Sequence, residues 1–150
     1  CLSKLTPIPE LTMIGRTYGA GREPDLEDWL LRQPRRRLID PDRSWAIWYP
    51  LRRKPAFYQL EARERGMILA EHGMLGRSYG EAGLAQDIRL KCFGFDRNDN
   101  EFLIGLVGSE LNALSRLIED MRETQQTAQY IESLGPFFVG HRIGSVNIET

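Results

Sequence analysis

Apolar positions change their period several times along the chain, and each change marks an expected element. Glu10 to Tyr18 (ELTMIGRTY) mixes β-branched and aromatic residues and predicts a strand, broken by Gly19, Gly21 and Pro24. Asp25 to Leu31 follows as a short helix with Asp25 as its N-cap. Arg35, Arg36, Arg37 and Pro41 then read as a solvated connecting segment. Trp45 to Tyr49 (WAIWY) predicts a strand closed by Pro50, with a basic loop, Arg52-Arg53-Lys54, behind it.

From about Leu60 to Tyr79 the period becomes helical. Leu60, Met67, Ile68, Leu75 and Tyr79 build one apolar stripe, and Glu61, Arg63, Glu64 and Arg65 load the other side. Gly80 and Gly83 end that helix. Ile88 to Phe93 predicts a strand, Asp96 to Asn100 a turn, and the nearly all-apolar Phe102 to Val107 a central strand. Ser109 is the expected N-cap of a second long helix, Glu110 to about Glu123. Leu111, Leu114, Leu117, Ile118 and Met121 make its buried face. Gln129 to Leu134 adds another helical turn, and Phe137 to Ile143 a last strand. From Trp45 onward the order is β-α-β-β-α-β. That predicts an α+β, ferredoxin-like domain, an antiparallel sheet with helices on one face. Such a fold hosts many functions and selects none of them.

Composition narrows the classes. The chain has 150 residues, enough for one domain with a real core. Twenty Lys and Arg against 21 Asp and Glu give a net charge of −1, which argues against a nucleic-acid-binding surface. No apolar run approaches the roughly 18 residues needed to span a bilayer. Two cysteines, Cys1 and Cys92, are too few for a disulfide framework. Their number fits a reducing compartment, and the expected location is cytoplasmic. Cys1 in first place, with no signal-peptide pattern behind it, reads as a processed chain or a fragment. With only His72 and His141, a zinc site built on His and Cys is disfavoured, whereas one axial His suffices for haem iron.

His72 lies one turn after Ile68 and one turn before Leu75 and Gly76, on or beside the apolar stripe. It reads either as a boundary histidine with a backbone partner or as a metal or haem ligand. Gly73 and Gly76 would each cost a mid-helix position about 1 kcal/mol relative to Ala. A flat group lying close to the helix would explain them. Tyr49 reads as an amphipathic strand-end tyrosine or as an electron donor beside cations. Arg53, Lys54 and Arg122 are cations that could pair with ligand carboxylates, or lie in solvent. Asp87 and Arg89 alternate along a strand and share one side of it.

A set of words in fixed order carries a resemblance. They are Tyr49-Pro50, Phe57-Tyr58, Glu71-His72-Gly73, Gly76-Arg77-x-Tyr79, Phe93-Gly94-Phe95-Asp96, Glu101-Phe102, Met121-Arg122 and Gly135-Pro136-Phe137-Phe138-Val139-Gly140. From about Trp45 to Ile143 the chain resembles the chlorite-dismutase-like superfamily, within the dimeric α+β barrels, and most of all its coproheme decarboxylases. The resemblance implies that His72 is the proximal iron ligand and Tyr49 the redox-active tyrosine beside a propionate. Leu51 stands where the family's Tyr-Pro-Met motif has Met, and Arg53 stands for a propionate-binding lysine. Arg122 and Thr127 match an arginine and a hydroxyl residue that bind another propionate. On the distal side Gln86, Asp87 and Arg89 all remain open, because counting from the two flanking motifs gives different positions. Chlorite enzymes carry a distal Arg there, which Arg89 could supply. They also lack the tyrosine and pair the proximal His with a Glu near Gln125.

The function implied is peroxide-dependent oxidative decarboxylation of coproheme to haem b, with coproheme and hydrogen peroxide as partners. Two alternatives stand beside it. One is a non-catalytic haem-binding or carrier protein, or half of a split assembly; the other is a chlorite dismutase. Long family members carry a degenerate ferredoxin-like domain first, and Glu10 to Arg37 resembles its end and exit linker. The expectation is therefore a remnant or linker over 1–44 and a haem-binding domain over 45–150. A homo-oligomer is implied, or a separate chain that supplies the first domain, which leaves the family's ring-shaped pentamer open.

Overall fold

A computed structural model describes residues 6–144, so Cys1 lies outside the described residues. Its strands are β1 (Trp45–Arg53), β2 (Gln86–Lys91), β3 (Phe102–Gly108), β4 (Ile131–Leu134) and β5 (Phe138–His141). Its helices are α1 (Gln33–Ile39), α2 (Ala56–Gln59), α3 (Ala62–Glu81), α4 (Leu111–Met121) and α5 (Gln125–Tyr130). Every strand pairing is antiparallel. The order is β2-β3-β1, with both β4 and β5 on the far side of β1. This is the ferredoxin-like order with its last strand in two pieces: β5 pairs Trp45–Trp48 and β4 pairs Leu51–Arg53.

That division explains why β1 runs through Pro50 instead of stopping there. Tyr49 and Pro50 face the gap between β4 and β5, where no ladder bond is asked of the proline. The Pro50 carbonyl accepts from the Gly135 amide at 2.9 Å, on that same side.

The core follows the two-residue period. Ile47, Tyr49 and Leu51 on β1 meet Leu106, Ile104 and Phe102 on β3 in register. Leu114 and Leu117 of α4 close over them, 0% and 3% exposed. On the opposite face Gly105 lies under the Trp48 ring. A Cβ there would stand 2.6 Å from it, so only glycine allows the indole to lie flat on β3.

Several expectations are corrected. Glu10 to Tyr18 is not a strand: it holds a 3-10 turn, Pro9–Leu11, and one isolated bridge, Arg16 with Lys91. Its β-branched residues lack a partner strand beyond that bridge. Asp25 does cap the next helix, its Oδ1 accepting from the Asp28 amide at 2.9 Å. The helix then runs on through a π turn, Asp28–Arg32, into α1. Arg35, Arg36 and Arg37 are therefore helical, not a loop. The ladder widens to π spacing just before Pro34, which has no N–H to give. Ser109 caps nothing, because Glu110 stays extended and α4 begins at Leu111. Strand β2 lies two residues earlier than expected, since Cys92 to Phe95 forms a turn closed at 2.8 Å. The segment Gln129 to Leu134 is mostly strand, because Ile131 and Leu134 pair with Arg53 and Leu51. No helix among the described residues is long and apolar enough to cross a membrane.

Candidate functional site

Between the core-facing side of the sheet and the helices α3, α4 and α5 lies a cavity of about 680 Å³. That is the size class of cofactor and ligand sites. Its apolar walls include Leu51, Ile104, Leu106, Leu117, Ile118 and Ile131. Helix α3 presents His72, Gly73, Gly76 and Gly80 to it, one face of the helix at spacings of one, four and eight. A Cβ at Gly73 would meet nothing within 4 Å, so the helix surface beside His72 is an open strip. At Gly76 the nearest atom to such a Cβ is Met121 Cε at 3.3 Å.

His72 is held in one tautomer by geometry. Its Nδ1 lies 3.2 Å from Thr124 Oγ1. That hydroxyl has one proton, and the Met121 carbonyl at 2.8 Å can only accept it. Thr124 Oγ1 therefore accepts from Nδ1–H, and the Nε2 lone pair stays free. Burial pushes the imidazole pKa down to about 4, helped by Arg53 and Arg89 and opposed by Asp87 and Glu71. A neutral imidazole with one nitrogen tied and the other free is the usual form of a metal-binding histidine.

The donor set also says which metal group fits. Among the described residues no group of three or more His, Cys, Asp or Glu could hold a bare ion. One free imidazole nitrogen beside a glycine strip and apolar walls suits a metal already enclosed in a flat macrocycle.

Tyr49 lines the cavity from β1 and is 9% exposed, its ring 4.8 Å from that of Phe137. Burial and the Asp87 carboxylate raise its pKa, against the pull of Arg122. Leu51 and Thr127 also line the cavity, and Thr127 Oγ1 lies 3.2 Å from Thr124 Oγ1. All three distal candidates line it too. The Gln86 amide donates to the Gly80 carbonyl at 3.3 Å, whereas Asp87 and Arg89 pair with each other at 2.7 Å.

Arg53 and Arg122 are absent from the wall. Arg53 keeps to the core-facing side of β1 with Tyr49 and Leu51, at the end of the strand where the β1–β4 ladder shifts register. Arg53 instead stacks on Phe57 and Phe102, at 4.7 and 4.8 Å, with Glu101 Oε2 at 4.0 Å from its Nη1. Arg122 is exposed just past the end of α4. In their place stand residues that sequence reasoning missed: Trp29 and Arg37 from the N-terminal segment, Gln126, and Thr124 behind the histidine. Arg37 was legible as a charge but not as a helical residue packed on β2. Nothing in the local sequence ties Thr124 to a histidine 52 positions away.

A sheet covered on one face by helices, with a single-histidine cavity between the layers, defines a ligand-binding ferredoxin-like protein. Residues 31–143 match the family model described as chlorite dismutase. The chain belongs to the chlorite dismutase family. A structure described as a novel haem-binding protein from Thermus thermophilus is 26% identical, with a TM-score of 0.63. That match covers 83% of this chain and 50% of the other. The chlorite dismutase of Candidatus Nitrospira defluvii, solved in complex with imidazole, shares the fold at 16% identity and a TM-score of 0.60. There the match covers 79% of this chain and 50% of that one. The chain spans about half the length of these solved relatives.

Proposed function

We propose that the chain binds coproheme through His72 and converts it to haem b with hydrogen peroxide as oxidant. The observation that carries this reading is the His72–Thr124 pair. It leaves Nε2 free beside the open strip at Gly73, in a cavity also walled by Tyr49. The haem-binding description of the Thermus thermophilus relative supports the ligand class. Each propionate loses carbon dioxide, one proton and two electrons and becomes a vinyl group, and one peroxide accepts the two electrons, with that proton and one from solvent, and forms two waters.

When bound, the iron porphyrin supplies the redox chemistry. The chain supplies the hold and the order of events. His72 donates its free nitrogen, and Thr124 fixes the ring's orientation. Leu51, Ile104, Leu106 and Leu117 make the cavity wall apolar and would exclude water from a bound macrocycle. Burial raises the Tyr49 pKa further above neutrality, so the phenol is protonated and its oxidation would release a proton with the electron. Thr127 offers a hydroxyl to a carboxylate. The segment before β1, read as the exit from a preceding ferredoxin-like domain, adds Trp29 and Arg37 to the wall. A homo-oligomer fits this reading.

A second reading has its own observation. Arg53 and Arg122, expected to hold carboxylates, are off the wall, which favours a haem-binding protein without decarboxylation. The test is a coproheme titration followed by peroxide, on the wild type and on His72→Ala. A Soret shift lost in His72→Ala, then stepwise loss of two carboxyl groups by mass spectrometry, is the expected result. A shift without mass loss moves the assignment to the haem-binding reading. Release of oxygen from chlorite would move it to chlorite chemistry, and no shift at all would remove haem from the cavity.

A further inference from the structure

Helix α1 brings Arg37 to the wall that β2 forms. Its Nη1 donates to the Asp87 carbonyl at 2.5 Å and lies 3.4 Å from Asp87 Oδ1. Arg89 Nε lies 2.7 Å from the other oxygen, Asp87 Oδ2. Two guanidiniums from different elements thus hold both oxygens of one carboxylate, and all three side chains line the cavity. In register Arg89 stands opposite Ile104, and Ile104 opposite Tyr49, so Arg89 sits at the Tyr49 row of the sheet and Asp87 at the neighbouring Ile47 row. His72 enters from the helix layer.

The charge count decides what such a wall welcomes. Two guanidiniums and one carboxylate leave one net positive charge, with the nearest donors already turned to Asp87. Without the carboxylate, Arg37 would keep its bond to the Asp87 carbonyl, Arg89 would lose its partner, and the wall would carry two uncompensated positive charges. We propose that Asp87 is a positioning residue that sets oxidant class: its carboxylate ties Arg89 to the wall and offsets one of the two guanidinium charges, favouring neutral hydrogen peroxide over an anionic oxidant such as chlorite. The proposal rests on the haem reading of the same cavity. Asp87 and Arg89 are 37% and 47% exposed at their side chains, so solvent screens the effect to a modest size.

The test uses the ferric haem complexes of the wild type and of Asp87→Asn, Asp87→Ser, Asp87→Glu and the double variant Asp87→Asn/Arg89→Gln. Each is titrated with fluoride as the anionic ligand and imidazole as the neutral one, followed in the Soret band. Loss of the carboxylate in Asp87→Asn or Asp87→Ser is expected to tighten fluoride about tenfold and leave imidazole unchanged. Asp87→Glu is expected to match the wild type, and the double variant to lose the gain. Two neutral variants guard against one that does not fold. Equal fluoride affinity in wild type and neutral variants overturns the proposal, as does a change that fluoride and imidazole share. A wild type with no Soret shift on adding haem overturns the haem reading as well, and this is seen before any anion is added.

Discussion

His72 Nδ1 lies 3.2 Å from Thr124 Oγ1, 52 residues further along the chain, and that hydroxyl donates its hydrogen bond to the Met121 carbonyl. The histidine's tautomer is therefore set by a residue at the start of α5. Thr124→Val keeps the volume and removes the acceptor for Nδ1–H. Haem affinity is expected to fall about 10- to 100-fold, as for other partners of metal-binding histidines. Thr124→Ser should stay near the wild type. A Soret titration of the three proteins checks this, and unchanged affinity in Thr124→Val would refute the role.

Gly73 is a helical residue with open space at its Cβ position. Gly73→Ala should therefore stabilise the ligand-free protein by about 0.5–1 kcal/mol, through helix propensity alone. The added methyl would stand in the strip beside His72, so haem affinity should drop at least about tenfold. Urea melts and a Soret titration on the same variant read both effects. A variant that gains stability and keeps its affinity would mean that nothing flat lies against α3 there.

The buried imidazole makes ligand-free stability depend on pH. His72 titrates at about 6.5 when unfolded and at about 4 when folded. Between those values the unfolded chain binds more protons, so acid favours unfolding. Its contribution is whole above pH 6.5, declines as pH falls toward 4, and is gone below that. One pKa unit corresponds to about 1.4 kcal/mol, which makes the loss a few kcal/mol at most. Urea melts at pH 7, 5.5 and 4.5 should show this slope in the wild type, and it should flatten in His72→Gln. A parallel slope in the variant would assign the acid sensitivity to carboxylates instead.

Tyr49 combines burial, a raised pKa and a place on the cavity wall. Tyr49→Phe keeps the ring against Phe137 and should leave coproheme affinity within about twofold, since a ring without its hydroxyl packs nearly as well. Loss of the first carboxyl group on adding peroxide should fall by at least about a hundredfold. Mass spectrometry of the porphyrin over time provides the measurement. Normal turnover in Tyr49→Phe would remove the tyrosine from the mechanism.

The wall residues show how far local pattern reaches. Asp87 and Arg89 share a side of β2 because strand side chains alternate, and that much follows from spacing. The same alternation puts Arg53 on the face of Tyr49 and Leu51, yet there it stacks on Phe57 and Phe102 beside Glu101 and does not line the cavity. Phe102 comes to Arg53 from β3, and no window around Arg53 contains that contact.

By itself the sequence determined the β-α-β-β-α-β framework from Trp45 on, though not the strand β4, together with the apolar faces of β1, β3 and α4 and a histidine followed by glycines on one helix face. These follow from periods of two and 3.6 residues, which are local properties of the chain. Only the tertiary structure decided that Thr124 orients His72, that Arg37 reaches Asp87 from α1, and that Arg53 and Arg122 stay off the wall. Those outcomes depend on packing between elements far apart in sequence. There the direction of a side chain is chosen by what already fills the space around it.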